Sequence, residues 1–160
     1  MFQIGDKIVY PMYGAGVVED LEEREKDGRF EKYYVIQISN GNLKIKLPTR
    51  KALNIGLREV AEKNEVVDAI KLAAEKDIEM PDNWNQRYKD NLERIRTGQI
   101  LQVAQVVKTL NTREKNRGLS GAEKKMLNNA RQIIISEIVL SHNIVKEKAE
   151  ELLANLLLNC

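Results

Sequence analysis

Residues 27–48 read DGRFEKYYVIQISNGNLKIKLP, and this stretch decides the class of the N-terminal fold. Tyr33–Ile38 is the most strand-prone run in the chain, because aromatic and β-branched side chains favour extended backbone. Asp27-Gly28 and Asn40-Gly41 on either side of it are strong signals for tight hairpin turns. Leu43–Leu47 then alternates apolar residues with outward-facing lysines, the pattern of a half-buried strand.

The residues before this stretch continue the β pattern. Lys7–Tyr10 is a short strand closed by Pro11, and Val17–Glu25 is a second candidate strand. Four or five strands within about 50 residues predict a small SH3-like or Tudor-like barrel. A barrel of that size has a marginal core, so we expect it to lean on the segment that follows.

From about residue 55 the apolar period becomes helical. Leu57–Lys76 is expected to be helical, as one helix or two short ones, and Met80-Pro81 breaks the pattern. Capping residues and terminal glycines delimit the later helices. These are Asn83 to Gly98, Ile100–Arg117, Ser120 to Leu140, and a tail over Val145–Leu158. The predicted class is α+β, with a β domain over residues 1–52 and a helical domain over residues 53–160.

The composition leaves little room for catalysis. His142 is the only histidine and Cys160 the only cysteine, so a Ser-His-Asp site would have to use His142. A zinc site needs four Cys or His ligands, and no phosphate-binding glycine motif is present. We therefore expect a protein that is not an enzyme and has no cofactor or metal, with His142 as a structural residue.

The apolar runs are too short for a membrane helix, which needs roughly 18 to 20 residues, and the first residues lack a leader pattern. A cytoplasmic location without membrane contact is expected.

Charge is divided unevenly along the chain: residues 1–50 hold eight basic and eight acidic side chains. Residues 81–142 hold eleven basic against six acidic ones, and this basic block begins beside Trp84, the only tryptophan.

Trp84 follows a probable helix cap and has polar neighbours, which leave it little apolar surface. It is either a core or junction residue or an exposed wedge that can enter a DNA minor groove. Arg87 and Lys89 lie on the same or neighbouring helical turns and could hold the phosphate backbone. Lys124 and Lys125, at the start of another helix, are either solvated or a second phosphate clamp.

Two cations stand out in the β domain. Arg24 ends one strand and Lys46 lies on the outer face of another. Such cations protect sheet edges from aggregation, but an exposed β-ribbon can also receive a strand of another protein. The pattern alone leaves both interpretations open.

Four stretches of the chain are distinctive: MFQIGDKIVYPMYGAGVV (residues 1–18), KYYVI (residues 32–36), NWNQRYK (residues 83–89) and RGLSGAEKKML (residues 117–127). In these stretches the chain resembles the CarD/CdnL family of bacterial RNA polymerase-binding transcription regulators. It covers residues 1–142, and its N-terminal part is shared with the polymerase-binding domain of transcription-repair coupling factors. The tail after His142 is not covered.

The resemblance implies a function for each half. A Tudor-like domain would dock on the lobe of the polymerase β subunit through Arg24 and Lys46. The helical domain would contact promoter DNA at the upstream edge of the transcription bubble, without strong sequence specificity. There Trp84 would be the wedge and Arg87 a backbone contact. Lysine at position 46 replaces an expected arginine and lacks its two-pronged bonding geometry.

The expected function is therefore a monomeric, non-enzymatic regulator that stabilises the open promoter complex. The alternative is an RNA-binding or translation-related module with an SH3-like barrel. That alternative needs a basic, aromatic barrel face, whereas the first 50 residues carry no net charge.

Overall fold

The structure is a computed structural model that describes residues 1–39 and 41–158. Within these ranges the N-terminal part forms five strands in one antiparallel sheet, ordered β4-β3-β2-β1-β5. The strands are β1 Lys7–Tyr10, β2 Gly14–Lys26, β3 Arg29–Ile38, β4 Lys44–Pro48 and β5 Arg58–Glu59. A single 3-10 turn, Thr49–Lys51, follows β4.

The hairpin between β2 and β3 forms where the sequence predicts it. Asp27 and Gly28 have φ values of 53° and 76°, and Lys26 pairs with Arg29 across the turn. Positive φ at both positions matches the right-handed twist of the strands, which explains the preference for Asp-Gly. The predicted turn at Asn40-Gly41 includes residue 40, which lies outside the described residues, as does Cys160.

The remainder of the described chain is helical, and the predicted α+β class is confirmed. The helices are α1 Lys63–Ala74, α2 Trp84–Arg96, α3 Ile100–Asn116, α4 Gly121–His142 and α5 Lys146–Leu153, with a π-helical turn over Ala154–Leu158. Two predicted caps are confirmed. The Asn83 side chain accepts from the Gln86 amide, and Ser120 Oγ accepts from the Glu123 amide.

The segment after the fourth strand differs from the prediction. Leu57 packs in the core of the sheet, and β5 pairs with β1 through Ile8–Glu59 and Val9–Arg58. One helix, α1, then begins at Lys63. The sheet therefore extends beyond the boundary placed from the sequence at residues 52/53. A two-residue strand of charged side chains has no apolar period by which the sequence could reveal it.

Each half has its own apolar core. The sheet encloses a cluster that includes Ile8, Tyr34 and Ile36, while the larger helical cluster includes Ile70, Leu110 and Ile134. Leucine, isoleucine, valine and alanine supply most of both clusters, as the low aromatic content requires. The β half thus depends on a small core, and its contacts with the helices matter for stability.

A partly buried ion pair joins the two halves. Arg58 of β5 donates to both carboxylate oxygens of Glu137 on α4, at 2.7 and 2.9 Å, and also to the Gly98 carbonyl. Glu137 accepts a further bond from the Ala61 amide, and its side chain is only 3% exposed. The two bonds to Arg58 hold β5 against the middle of α4 in one geometry.

A close backbone approach adds to this junction. The amide of Ala15 donates to Ser136 Oγ at 2.8 Å, inside the contact between β2 and α4. A Cβ on the neighbouring Gly14 would lie 2.7 Å from Ser136 Oγ, and Gly14 has a φ of 107°. Only glycine meets both conditions, so the glycine-rich turn of the sequence is part of the contact between the halves.

We expect Arg58→Met to lower the free energy of unfolding by about 3–5 kcal/mol. Removal of the Arg58 guanidinium leaves the buried Glu137 carboxylate without a compensating charge. Urea unfolding followed by circular dichroism measures this change. Arg96→Met is the matched control, because its partner Glu93 is exposed on the same helix. Equal, small losses in both variants would show that the junction does not depend on the ion pair.

Candidate nucleic-acid and protein interfaces

Trp84 lies at the surface but is held in one orientation. It is the first residue of α2, and 39% of it is exposed. Its ring stacks on Tyr88 with a centroid separation of 5.1 Å and an interplanar angle of 18°. Its indole Nε1–H donates to Ser120 Oγ at 3.0 Å. The tryptophan is thus neither a core residue nor a free side chain.

The bond to Ser120 brings two helix beginnings together. Ser120 is the N-cap of α4, and Asn83, next to Trp84, is the N-cap of α2. Helix N-termini carry partial positive charge and outward-pointing amides, which favour anions such as phosphate. Trp84 therefore lies beside two helix N-termini, and the positive potential of each favours a phosphate group. The sequence offers the helix start before Lys124 as a possible second phosphate clamp beside Trp84. In the structure this helix start contacts Trp84 through Ser120.

Arg87 is buried, which corrects the prediction that it contacts DNA. Its side chain is 4% exposed, and Nε and Nη2 donate to the Glu123 carboxylate at 2.8 and 3.2 Å. Nη1 donates to the carbonyls of Pro81 and Asp82. All three nitrogens of the guanidinium are therefore engaged inside the protein. Residue 87 follows Trp84 by three positions and lies on the side of α2 that faces α4.

Glu123 is a buried residue of this site that the sequence did not reveal. Its side chain is 2% exposed and holds Arg87. The hydrogen bonds from Arg87 keep the pKa of Glu123 below its usual value despite burial, and bonds from Ser120 add to this effect. Ser120 Oγ also lies 3.3 Å from Glu123 Oε1. A connected chain of contacts thus runs from Arg87 through Glu123 and Ser120 to Trp84.

The predicted lysines lie on the surface of α2 and α4. Lys89, Lys124 and Lys125 are exposed, on α2 and at the start of α4. Lys124 Nζ is 4.0 Å from Glu114, a loose and solvated pair. These side chains remain free to move toward a phosphate.

The two predicted cations of the sheet share one partner. Arg24 and Lys46 reach the same Glu22 carboxylate oxygen, at 3.3 and 3.2 Å, from strands β2 and β4. Arg24 also lies 5.8 Å from the centre of the Tyr33 ring. The sequence named both cations but missed Glu22, whose role depends on the pairing of β2, β3 and β4. Together these residues form a polar face with excess positive charge.

Other expectations concern residues away from both surfaces. His142 ends α4, and its Nδ1 lies 2.8 Å from Ser141 Oγ. Burial lowers the pKa of His142, so the ring is mainly neutral at pH 7. Among the residues that the structure describes, none of the helices has the length and apolar content needed to cross a membrane.

These features define a two-part protein, with a small antiparallel sheet that presents cations and a helical domain that presents a fixed tryptophan. Residues 2–61 match the CarD-like/TRCF RID domain, and residues 66–154 match the CarD C-terminal domain. The chain is 40% identical over 150 residues to "Putative transcription factor YdeB" of Bacillus subtilis strain 168, covering 92% of this chain and 97% of that protein. The chain therefore belongs to the CarD family of transcription factors, as its sequence suggests.

We expect the Arg87–Glu123 pair to make stability depend on pH. The pKa of Glu123 is lower in the folded state than its usual value of 4.5. Its contribution is therefore complete above that pH and is lost as the pH falls through the folded-state pKa. Glu123→Gln should lose about 3–5 kcal/mol at pH 7, because it leaves Arg87 buried without a counter-charge.

Urea unfolding between pH 7 and pH 3 tests this expectation. Glu123→Gln should show a shallower decline on acidification than the wild type. Glu93→Gln, which alters an exposed pair on α2, should keep the wild-type profile. If Glu123→Gln follows the wild-type pH profile, the pair makes no contribution of this kind.

Proposed function

We propose that this protein binds the lobe of the RNA polymerase β subunit through its sheet and stabilises the open promoter complex with Trp84. The fixed, half-exposed indole between two helix N-termini is the observation that carries the proposal. An aromatic wedge in that position can enter the DNA minor groove and separate neighbouring bases. Membership of a transcription factor family supports the same conclusion. The protein would act as a monomer.

The polymerase would contact the face formed by Arg24, Lys46 and Glu22. Arg24, Lys46 and Arg50 pair on this side of the sheet with two carboxylates, Glu22 and Glu31, so a positive excess remains that favours an acidic partner surface. Strand β4 is an edge of the described sheet and can accept a strand from another chain. Lys46 would contribute a single charged contact rather than a two-pronged one.

DNA would be held by the exposed lysines of α2 and α4 rather than by Arg87. Lys89, Lys124 and Lys125 can neutralise phosphates, which gives salt-sensitive affinity without base specificity. Arg87 acts through Glu123 and Ser120 and is a positioning residue. Because the indole orientation is already set, little side-chain entropy is lost when Trp84 meets DNA.

Only a small difference in binding free energy between the open and closed promoter complexes is needed for this mechanism. Binding to polymerase raises the local concentration of the helical domain at the bubble, so weak DNA contacts suffice. Stacking of a base on an aromatic side chain contributes about 1–3 kcal/mol. If Trp84 stacks only on unwound DNA, the whole stacking free energy shifts the equilibrium toward the open complex. About 1.4 kcal/mol corresponds to a tenfold shift.

We expect Trp84→Ala to keep the fold but remove the stabilisation of the open complex, about five- to tenfold in lifetime, because the variant lacks the stacking surface. The lifetime is measured by competitor challenge of promoter complexes of the cognate polymerase. Trp84→Phe is the control, since it keeps an aromatic face without the bond to Ser120, and should retain part of the effect. A large fall in melting temperature, or an unchanged lifetime, would contradict the proposal.

We expect Arg24→Glu to weaken binding to the isolated β lobe by at least tenfold, because it reverses one charge of the cationic face. Biolayer interferometry at two salt concentrations measures the affinity. Lys32→Glu is the matched control, because the register of β3 places Lys32 on the opposite face of the same hairpin. Equal losses in the two variants would show that net charge, and not this face, determines binding.

A further inference from the structure

An open groove of about 520 Å³ lies between α2 and α4, next to Trp84. We call it the α2–α4 groove. Its walls include Tyr88 and Leu92 from α2 and Gly121, Ala122, Lys125 and Asn129 from α4. Its volume lies in the range of sites that bind small molecules.

The groove continues the surface of Trp84. Trp84, Tyr88 and Leu92 follow each other at four-residue steps and therefore lie on one stripe of α2. Tyr88 stacks with the indole and also lines the groove, so the aromatic surface extends from the tryptophan into it. A group bound in the groove would therefore lie beside a base that stacks on Trp84.

Small residues leave the groove open on the side of α4. A Cβ on Gly121 would have no atom within 4 Å, and Ala122 is exposed. Larger side chains at these two positions would fill the space opposite Tyr88. The opening therefore depends on two residues at the start of α4, beside the cap that holds Trp84.

The polar groups of the groove favour an anion with a hydrogen-bonding edge. Lys125 is its charged lining residue, and none of the described lining residues is acidic. Asn129 carries both a donor and an acceptor, the pair that can bind the edge of a base. Another groove, lined by Glu59, Glu62 and Glu65 together with Arg58, is mainly acidic.

We propose that the α2–α4 groove receives one unpaired nucleobase of the promoter strand, next to the position occupied by Trp84. The base would stack against Tyr88, Asn129 would contact its edge, and Lys125 would lie near its phosphate. This inference rests on the proposed function, because an unpaired base is available only at the edge of an open bubble. It adds a second contact that requires unwound DNA.

Promoter fragments with single abasic positions at the upstream bubble edge test this proposal. The cognate polymerase forms open complexes on each fragment, and their lifetimes are measured with and without the full-length protein. With the wild type, one abasic position should reduce the conferred stabilisation about fivefold, the lower end of base stacking on an aromatic residue. Ala122→Leu, which fills the groove, should reduce stabilisation on intact DNA to the same level.

The decisive result is coupling between the variant and one base. In Ala122→Leu, removal of that base should have no further effect, while removal of the base that depends on Trp84 should still matter. Asn128→Leu, exposed on α4 and outside the groove lining, is the matched control and should behave as the wild type. Melting curves and β-lobe binding show that the variants are folded.

Two outcomes would overturn the groove proposal alone. One is that Ala122→Leu matches the wild type on every fragment; the other is that it lowers stabilisation equally on all of them, as loss of a protein contact would. In both cases Trp84→Ala would still abolish stabilisation. If Trp84→Ala leaves the lifetimes unchanged, the proposed function itself fails, whatever the abasic fragments show.

Discussion

The orientation of the two halves depends on the contact between Arg58 and Glu137. Removing two charges from water costs several kcal/mol per ion, and only good geometry with further hydrogen bonds offsets that cost. Here both carboxylate oxygens receive bonds, and the arginine also reaches the carbonyl of Gly98 in the turn between α2 and α3. Strand β5, helix α4 and this turn are thus held at one point. A rigid link of this kind fixes the separation between the face of Arg24 and the indole of Trp84.

Local features could be predicted from the sequence because neighbouring residues determine them. The Asp27-Gly28 turn and the caps at Asn83 and Ser120 each depend on residues within four positions, and all are confirmed. The arginine contacts could not be predicted in this way. Arg87 and Glu123 are 36 residues apart, and Arg58 and Glu137 are 79 apart. A charged residue in a sequence is expected at the surface until a distant partner of opposite charge is known.

Trp84 illustrates the same limit at the candidate site. Its polar neighbours left a junction residue and an exposed wedge as alternatives, and the structure combines parts of both. One face rests on Tyr88, four residues away and visible in the sequence, whereas the bond to Ser120 requires the packing of α2 on α4. The sequence could thus identify Trp84 and, four residues away on the same helix, Tyr88. It could not identify the buried pair that fixes its surroundings, because that pair exists only in the folded chain.

The chain contains a single tryptophan, and that residue lies at the candidate DNA site. Its indole nitrogen donates a hydrogen bond, and its ring is stacked on a tyrosine, so its excited state responds to any change in either contact. All the intrinsic tryptophan emission of the protein therefore originates from this one place. The unmodified protein carries its own optical probe, and its fluorescence reports the surroundings of the indole without any label.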